Sequence, residues 1–402
     1  MSIRWHDYYS ECARRMTSSA IREILKFAQR PEIISFAGGM PAPELFPTKE
    51  MEEICSYTLT EKGTEALQYG ITEGYPPLRS FLVEKMAAYG LGTSEENIVV
   101  TAGSQQALDL IGRVFLDPGD AILLEKPSYV GAIQAWRAYG VKFATVPLDE
   151  KGMRVDLLEE AIMESKPKFI YVLPNFHNPA GVTLALERRE KLVELAARHS
   201  VPIVEDDPYG ELRYEGEHLP PLAVLDAKRN GGNVLYLGTF SKLIAPGLRL
   251  GWVVAPAEVA RQLVLAKQGA DLHTNSFGQV MVYEYCRRGL LQPHIEEIIA
   301  TYRERRDAML AALERYFPEG VRWTKPEGGL FLWVILPEEV DSVELLKEAV
   351  EEKVAFVPGT AFYADGTGHN TMRLTFATAN PEMIEEGIKR LGKAIKKRLE
   401  AS

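Results

Sequence analysis

The sequence predicts an α/β fold built on a largely parallel sheet, followed by a second, smaller α/β unit. Three observations carry this. From about residue 97 short apolar runs alternate with amphipathic stretches, which is the sequence form of repeated strand-helix units. Those runs are continuously apolar, as expected of parallel strands covered on both faces. After about residue 290 the texture changes to long amphipathic helices with a few β-like runs between them.

In chain order, "NIVVTAG" reads as a strand and "SQQALDLIGRVF" as a helix with Ser104 as its N-cap. "AILLE", "FIYVLP", "VPIVED", "NVLYLG" and "LGWVVA" are further strands, with helical stretches such as "LERREKLVELAARHS" between them. "PHIEEIIATYRERRDAMLAALERYF" puts Ile295, Ile298, Ile299 and Tyr302 on one face of a long helix that links the two units. Beyond it lie "GGLFLWVILP", a helix near 343–352, "VAFVPG", "TMRLTFAT" and a basic-ended helix reaching Ser402. The expected division is a large domain over 46–290 and a small domain made of 1–45 together with 291–402. No repeat or low-complexity linker separates them, so the two are expected to pack together.

At 402 residues the chain exceeds what one compact core usually holds. Its 46 Lys and Arg against 56 Asp and Glu give a net charge of -10, which argues against a nucleic-acid surface. Cys12, Cys55 and Cys286 are odd in number, far apart and without metal-ligand spacing. They read as reduced thiols, and no metal is expected. The start of the chain lacks a signal-type apolar core, and the longest apolar run falls far short of the roughly 18 residues a membrane span needs. The expected place is the cytoplasm, with no membrane or nucleic-acid partner.

In open parallel sheets ligands bind beyond the carboxyl ends of the strands. Four such ends are unusual: Gly103-Ser104-Gln105, "NFHNPAG", "DDPYGE" and "TFSK". The first joins a glycine to a helix N-terminus, which favours an anion but is equally an ordinary cap. Asn178 in "HNPAG" reads alone as a turn residue. Asp206 in "DDPYGE" needs a cation or donors if it is buried, and a solvated turn otherwise accounts for it. "GTFSKLIAPGLRLGW" offers the hydroxyls of Thr239 and Ser241, the amine of Lys242 and the donor fork of Arg249. A lone loop lysine is usually solvated. Four such loops on one rim are a stronger signal than any one of them.

In this order and spacing, "GTFSK...PGLRLGW", "NPAG", "DDPY" and "MRLTFAT" resemble the fold-type I, pyridoxal-phosphate-dependent aminotransferases of the class I/II group. The resemblance covers nearly the whole chain. "SSAIREILKFAQRPEIISFAGGMPAPELFP", "EALQYGITEGYPPLR", "TAGSQQALDL" and "KQGADLHTNSFGQ" are similar to the 2-aminoadipate branch, which includes kynurenine aminotransferases. The resemblance implies that Lys242 carries the cofactor aldehyde and acts as the base beside the substrate Cα. It implies that Asp206 keeps the pyridine nitrogen protonated, that Asn178 and Tyr209 meet the phenolic oxygen, and that Tyr129 flanks the ring. The phosphate falls to the N–H groups of Ser104 and Gln105, the hydroxyls of Thr239 and Ser241, and Arg249. Tyr69 of the partner subunit reaches it too, which implies a homodimer with shared sites.

On the substrate side the resemblance gives Arg373 the α-carboxylate, beside Asn178, and gives Arg22 a distal carboxylate. Gly38 and Gly39 let that segment approach the substrate closely. Without the resemblance Arg373 is a strand arginine and Arg22 the polar face of a helix. Three positions depart from the branch. His177 precedes Asn178 where another polar or small residue is more common, Gly210 replaces a bulkier residue and is expected to widen one wall, and Thr239 replaces a serine while keeping the hydroxyl.

The activity implied is a ping-pong transamination, from 2-aminoadipate by preference, with glutamate, branched-chain and aromatic donors, to a 2-oxo acid such as 2-oxoglutarate. The alternatives are an aromatic, kynurenine or valine-type transaminase, or a β-lyase on the same fold. A ligand-sensing regulator needs an added DNA-binding domain, for which the short N-terminal segment is expected to leave no room.

Overall fold

The computed structural model describes residues 3–16, 30, 32–229 and 231–401. Its centre is an eight-stranded sheet. In spatial order the strands are Ile98–Thr101, Gly251–Val254, Val234–Thr239, Ile203–Asp206, Ile170–Val172, Ala121–Lys126, Lys142–Asp149 and Gly152–Met153. From Val234–Thr239 to Lys142–Asp149 all neighbours run parallel. The continuous apolar runs follow from cover on both sides: Leu123 packs into one apolar cluster while Ile122 and Leu124 pack into the other.

Two strands break the parallel pattern, the short Gly152–Met153 at one edge and Gly251–Val254, and the second shapes the site. Gly251–Val254 runs antiparallel to both neighbours. Its amino end therefore lies on the rim where Ile98–Thr101 and Val234–Thr239 finish. Arg249 lies two residues before it and so reaches the same rim.

Two details differ from the sequence reading. Ser104 does not cap its helix: the N-cap is Gly103 at φ 77°, and Ser104 is the first residue of the helix Ser104–Phe115. The reason is steric, since a Cβ at residue 103 would lie 2.7 Å from Arg249 Nη2, and only glycine combines that left-handed turn with so close a neighbour. The strands Lys142–Asp149 and Gly152–Met153 are the second addition. The longer one is half-exposed along most of its length and contains Pro147, so it lacks the apolar continuity of the central strands.

The second unit carries a four-stranded antiparallel sheet, ordered Arg322–Trp323, Phe331–Ile335, Thr371–Thr375, Val357–Pro358. The helix Leu291–Tyr316 buries Ile295, Ile298 and Tyr302 on the expected face and leaves Ile299 half-buried. It packs along the terminal helix Pro381–Ala401. The helix near 343–352 spans Ser342–Glu351. Near the N-terminus, Ile34–Ser35 pairs in parallel with Val354–Ala355, and Tyr302 Oη accepts from Ala42 N–H at 2.9 Å. These contacts tie the early segment to the C-terminal unit. Among the described residues no helix is long and apolar enough to cross a membrane.

Candidate active site

The strand ends that stand out in the sequence converge on one cavity of about 400 Å³. Ser104 and Gln105 enter it from the first turn of their helix, and Tyr129 from the head of Val130–Arg137. Asn178, Asp206 and Tyr209 come from the next two strand ends. Thr239, Ser241, Lys242 and Arg249 come from the stretch around the turn Pro246–Leu248. Gly39 and Arg373 close it from the other side.

Three expected residues are not among them, and Gly38 is one, although its neighbour Gly39 lines the cavity. Arg22 lies outside the described residues. Tyr69 is 79% exposed, stands edge-on to the His273 ring at 5.7 Å and does not line this cavity within one chain.

Lys242 donates from Nζ to the Gly39 carbonyl at 2.8 Å. Burial lowers its pKa to about 8, helped by the charges of Arg373 and Arg249. Asp206 is buried at the end of its strand and accepts on Oδ2 from Tyr171 Oη at 2.8 Å. Burial pushes it up to about 7; the Tyr171 bond opposes this and the neighbouring Asp207 charge adds to it. Its Oδ1 has no hydrogen-bond partner.

Arg373 sits mid-strand, paired with Trp333 on one side and Val357 on the other. Its guanidinium donates to Asn178 Oδ1 at 2.9 Å and to the Ala37 carbonyl at 2.8 Å. It lies 4.2 Å from the Phe331 ring centre and 4.9 Å from that of Phe362, and Nε is unpaired. Burial pulls its pKa down to about 10, with the nearby phenols of Tyr209 and Tyr129 opposing. Asn178 in turn donates to Tyr209 Oη at 3.5 Å. Burial raises both phenols above their ordinary range.

Among the other lining residues, Thr239 Oγ1 donates to Ser241 Oγ at 2.9 Å and accepts from Ser241 N–H at 3.1 Å. Arg249 Nη2 donates to the Ala102 carbonyl at 3.2 Å. Ser104 Oγ is buried without a partner, and the first N–H groups of a helix have no acceptor within it. Two hydroxyls, a guanidinium and a helix N-terminus thus share one corner, a donor set suited to an anion.

Gly210 does not widen this site. It lines a separate cavity of about 510 Å³, and a Cβ there would lie 2.4 Å from the Asp207 carboxylate. The chain turns after Asp206 so that Tyr209 faces one cavity and Gly210 the other. His177 is buried off the site: its Nδ1 accepts from Ala180 N–H at 3.2 Å and its Nε2 lies 3.2 Å from Glu125 Oε2. The sequence reading missed Tyr171, Met40, Gln134 and Leu173. Only Tyr171 left a trace, as a tyrosine inside an apolar run whose hydroxyl needs a partner.

The fold and these groups describe an enzyme equipped with an amine, a buried acid and an anion-binding corner in one cleft. Residues 43–391 match the family "Aminotransferase class I and II", and the chain belongs to it. It is 49% identical to the aromatic-amino-acid aminotransferase 1 of Thermococcus litoralis, over 99% of this chain and 96% of that protein. It is 47% identical to the 2-aminoadipate transaminase of Thermus thermophilus, over 98% of each. Among solved structures it superposes on LysN, the α-aminoadipate aminotransferase of Thermus thermophilus, complexed with N-(5'-phosphopyridoxyl)-L-leucine. That match has a TM-score of 0.94 and 46% identity over 100% of both chains.

The protein is therefore a fold-type I aminotransferase that uses pyridoxal phosphate. The cavity fits that group: Asp206 Oδ1 and Ser104 Oγ are buried polar atoms lacking partners, and both residues line a cleft that also holds a lysine amine of lowered pKa.

Proposed function

We propose that the chain carries an amino group from an L-amino acid to a 2-oxo acid in two half-reactions through one site, with 2-aminoadipate as preferred donor and 2-oxoglutarate as acceptor. The observation that carries this reading is the convergence of Lys242, Asp206 and Arg373 in one cavity. Pyridoxal phosphate, when bound, supplies an aldehyde that takes up amines and a ring that accepts the electron pair left when Cα loses its proton.

The residues divide the work. Lys242 holds the cofactor and, as a free amine, takes the proton from the donor's Cα; a pKa of about 8 keeps part of it unprotonated near neutrality. Asp206 Oδ1, which has no partner, would accept from the ring nitrogen, while Tyr171 donates to the other oxygen. Asn178 and Tyr209 would donate to the phenolic oxygen, and Tyr129 would help hold the ring. Ser104, Gln105, Thr239, Ser241 and Arg249 bind the phosphate. Arg373 binds the donor's α-carboxylate as a fork, with its guanidinium against the Phe331 and Phe362 rings. Gly39 keeps the segment beside Arg373 close, since a Cβ there would meet the Phe331 ring at 3.2 Å.

We assign the chain to a cytoplasmic homodimer, with 46–290 as the large domain and 1–45 plus 291–402 as the small one. In that dimer Tyr69 of the partner subunit completes the phosphate site. Its exposure, beside the exposed Leu67, Ile71 and Leu272, supports a covered surface there.

A second reading, aromatic donors, is favoured by the apolar wall of Met40, Val130 and Leu173. Single-turnover rates with 2-aminoadipate, kynurenine, leucine and phenylalanine, wild type against Arg22→Ala, separate the two. A loss confined to the dicarboxylic donor supports the first reading, and an equal loss for all donors overturns the distal role of Arg22.

A further inference from the structure

The stretch "KQGADLHTNSFGQ" has no part in the chemistry above, yet it contains Lys267, which is buried completely. Lys267 lies near the end of the helix Ala257–Gln268. Its Nζ donates to Asp271 Oδ1 and Oδ2, both at 2.9 Å, and to Gln106 Oε1 at 2.8 Å. Gln106 Nε2 donates to Asp271 Oδ2 at 2.6 Å, and Gln106 Oε1 also accepts from Ala102 N–H at 2.8 Å. A buried ammonium is tolerated only when it is paired and hydrogen-bonded, and here all three of its protons have acceptors.

The chain of contacts ends on the turn that opens the anion-binding corner. Ala102 is held at its N–H by Gln106 and at its carbonyl by Arg249. Thr101 Oγ1 donates to the Gly103 carbonyl at 3.1 Å, and Gly103 carries the left-handed turn. The N–H groups of Ser104 and Gln105 follow directly. Their direction is set by the peptide planes of residues 101–103, and those planes are held from one side by Arg249 and from the other by Lys267, Asp271 and Gln106.

We infer that Lys267, with Asp271 and Gln106, is a positioning residue for phosphate recognition: it holds the 101–103 turn so that the first N–H groups of the Ser104–Phe115 helix converge on the cofactor's phosphate. Lys267 touches neither cofactor nor substrate. The inference rests on the phosphate corner proposed above. It differs from a purely structural role in what it predicts: a brace for the whole fold weakens every ligand alike, whereas a brace for this turn weakens only ligands that carry the phosphate.

The test is the ratio of dissociation constants for pyridoxal phosphate and for pyridoxal, which lacks the phosphate, measured on cofactor-free protein by titration of absorbance and tryptophan fluorescence. Lys267→Met is expected to lower the preference for the phosphorylated form about tenfold, the effect of losing one well-formed hydrogen bond to a charged group. Pyridoxal binding should be unchanged. Gln106→Leu, which leaves the Lys267–Asp271 pair intact, should do the same and serves if Lys267→Met does not fold. An unchanged ratio in the folded variants, or an equal weakening of both ligands, overturns the inference. Arg249→Met tests the underlying corner separately. If it too leaves the ratio unchanged, the phosphate reading itself fails; if it alone collapses the ratio, only the role of Lys267 fails.

Discussion

Two cavities meet at the end of the strand Ile203–Asp206, and consecutive residues face them in turn. Asp206 and Tyr209 line one; Asp207 and Gly210 line the other, which is larger. Both contain buried charge, and the difference lies in how it is satisfied. In the larger cavity Asp207 accepts from Asn175 Nδ2 at 2.9 Å and from Tyr236 Oη at 3.2 Å, and Asn175 accepts from Arg189 at 2.6 Å. Lys85 pairs with Glu211, and Arg213 with Glu327, each at 2.7 Å. Among the described residues none that lines it has a buried side-chain nitrogen or oxygen without a partner. In the smaller cavity Ser104, Asp206 and Arg373 each have one. Volume does not locate the chemistry here. Unspent hydrogen-bonding capacity does, because leaving a buried polar atom unpaired costs stability unless a ligand completes it.

The sharpest way to break this contrast is to remove the amine. Lys242→Ala should lower the rate of donor conversion to oxo acid by about 10⁴ or more, since it removes the base together with the attachment point. Turnover within tenfold of wild type would end the assignment. Arg373→Lys keeps the charge but loses the fork, and kcat/KM should fall about 100-fold, mostly through KM. A fall in kcat alone would move Arg373 out of carboxylate binding.

Burial of Asp206 also carries a pH-dependent cost in stability. Asp206 has a pKa of about 7 in the folded protein, above its ordinary value of 3.8. Between these values the folded state holds more protons than the unfolded chain, so this group makes the cofactor-free protein less stable as pH rises from about 4 to 7. Asp206→Asn should remove that loss, on the order of a few kcal/mol at pH 8, while abolishing productive catalysis. Urea unfolding at pH 5 and pH 8 reads it. Glu205, also pushed up to about 7 by burial, and Asp207, raised by burial too, leave a residual slope in the variant. An unchanged difference between the two pH values would mean that Asp206 is not strained.

The smallest effect belongs to the other cavity. Gly210→Ala forces a methyl against the Asp207 carboxylate and should cost about 1–3 kcal/mol of stability. The relative rates over a panel of donors should not move. A shifted donor preference would restore Gly210 to the substrate wall.

Much of the site was legible because polar residues punctuate otherwise apolar strand runs, and a parallel sheet brings strand ends to one rim. Asp206, Asn178 and Lys242 are of this kind. What escaped depends on direction and partner, which spacing does not encode. Tyr171 looked like core because its hydroxyl meets Asp206 across two adjacent strands. Ser104 looked like a cap because it fits the preference for serine there, whereas the left-handed turn at Gly103 takes that place. Gly210 was put on the wrong wall because a tight turn sends neighbours to opposite sides. The strand Lys142–Asp149 does not stand out in the sequence because it is half-exposed, and Lys142, Thr145 and Pro147 interrupt its apolar run.

The central claim is that Lys242, the one lysine among the described residues that line the cavity of unsatisfied groups, carries the cofactor. Reducing the cofactor-loaded protein with borohydride, digesting it and mapping the phosphopyridoxyl group by mass spectrometry tests this directly. The label is expected on Lys242 alone; a label on Lys267, Lys85 or any other lysine, with Lys242 unmodified, would contradict the account.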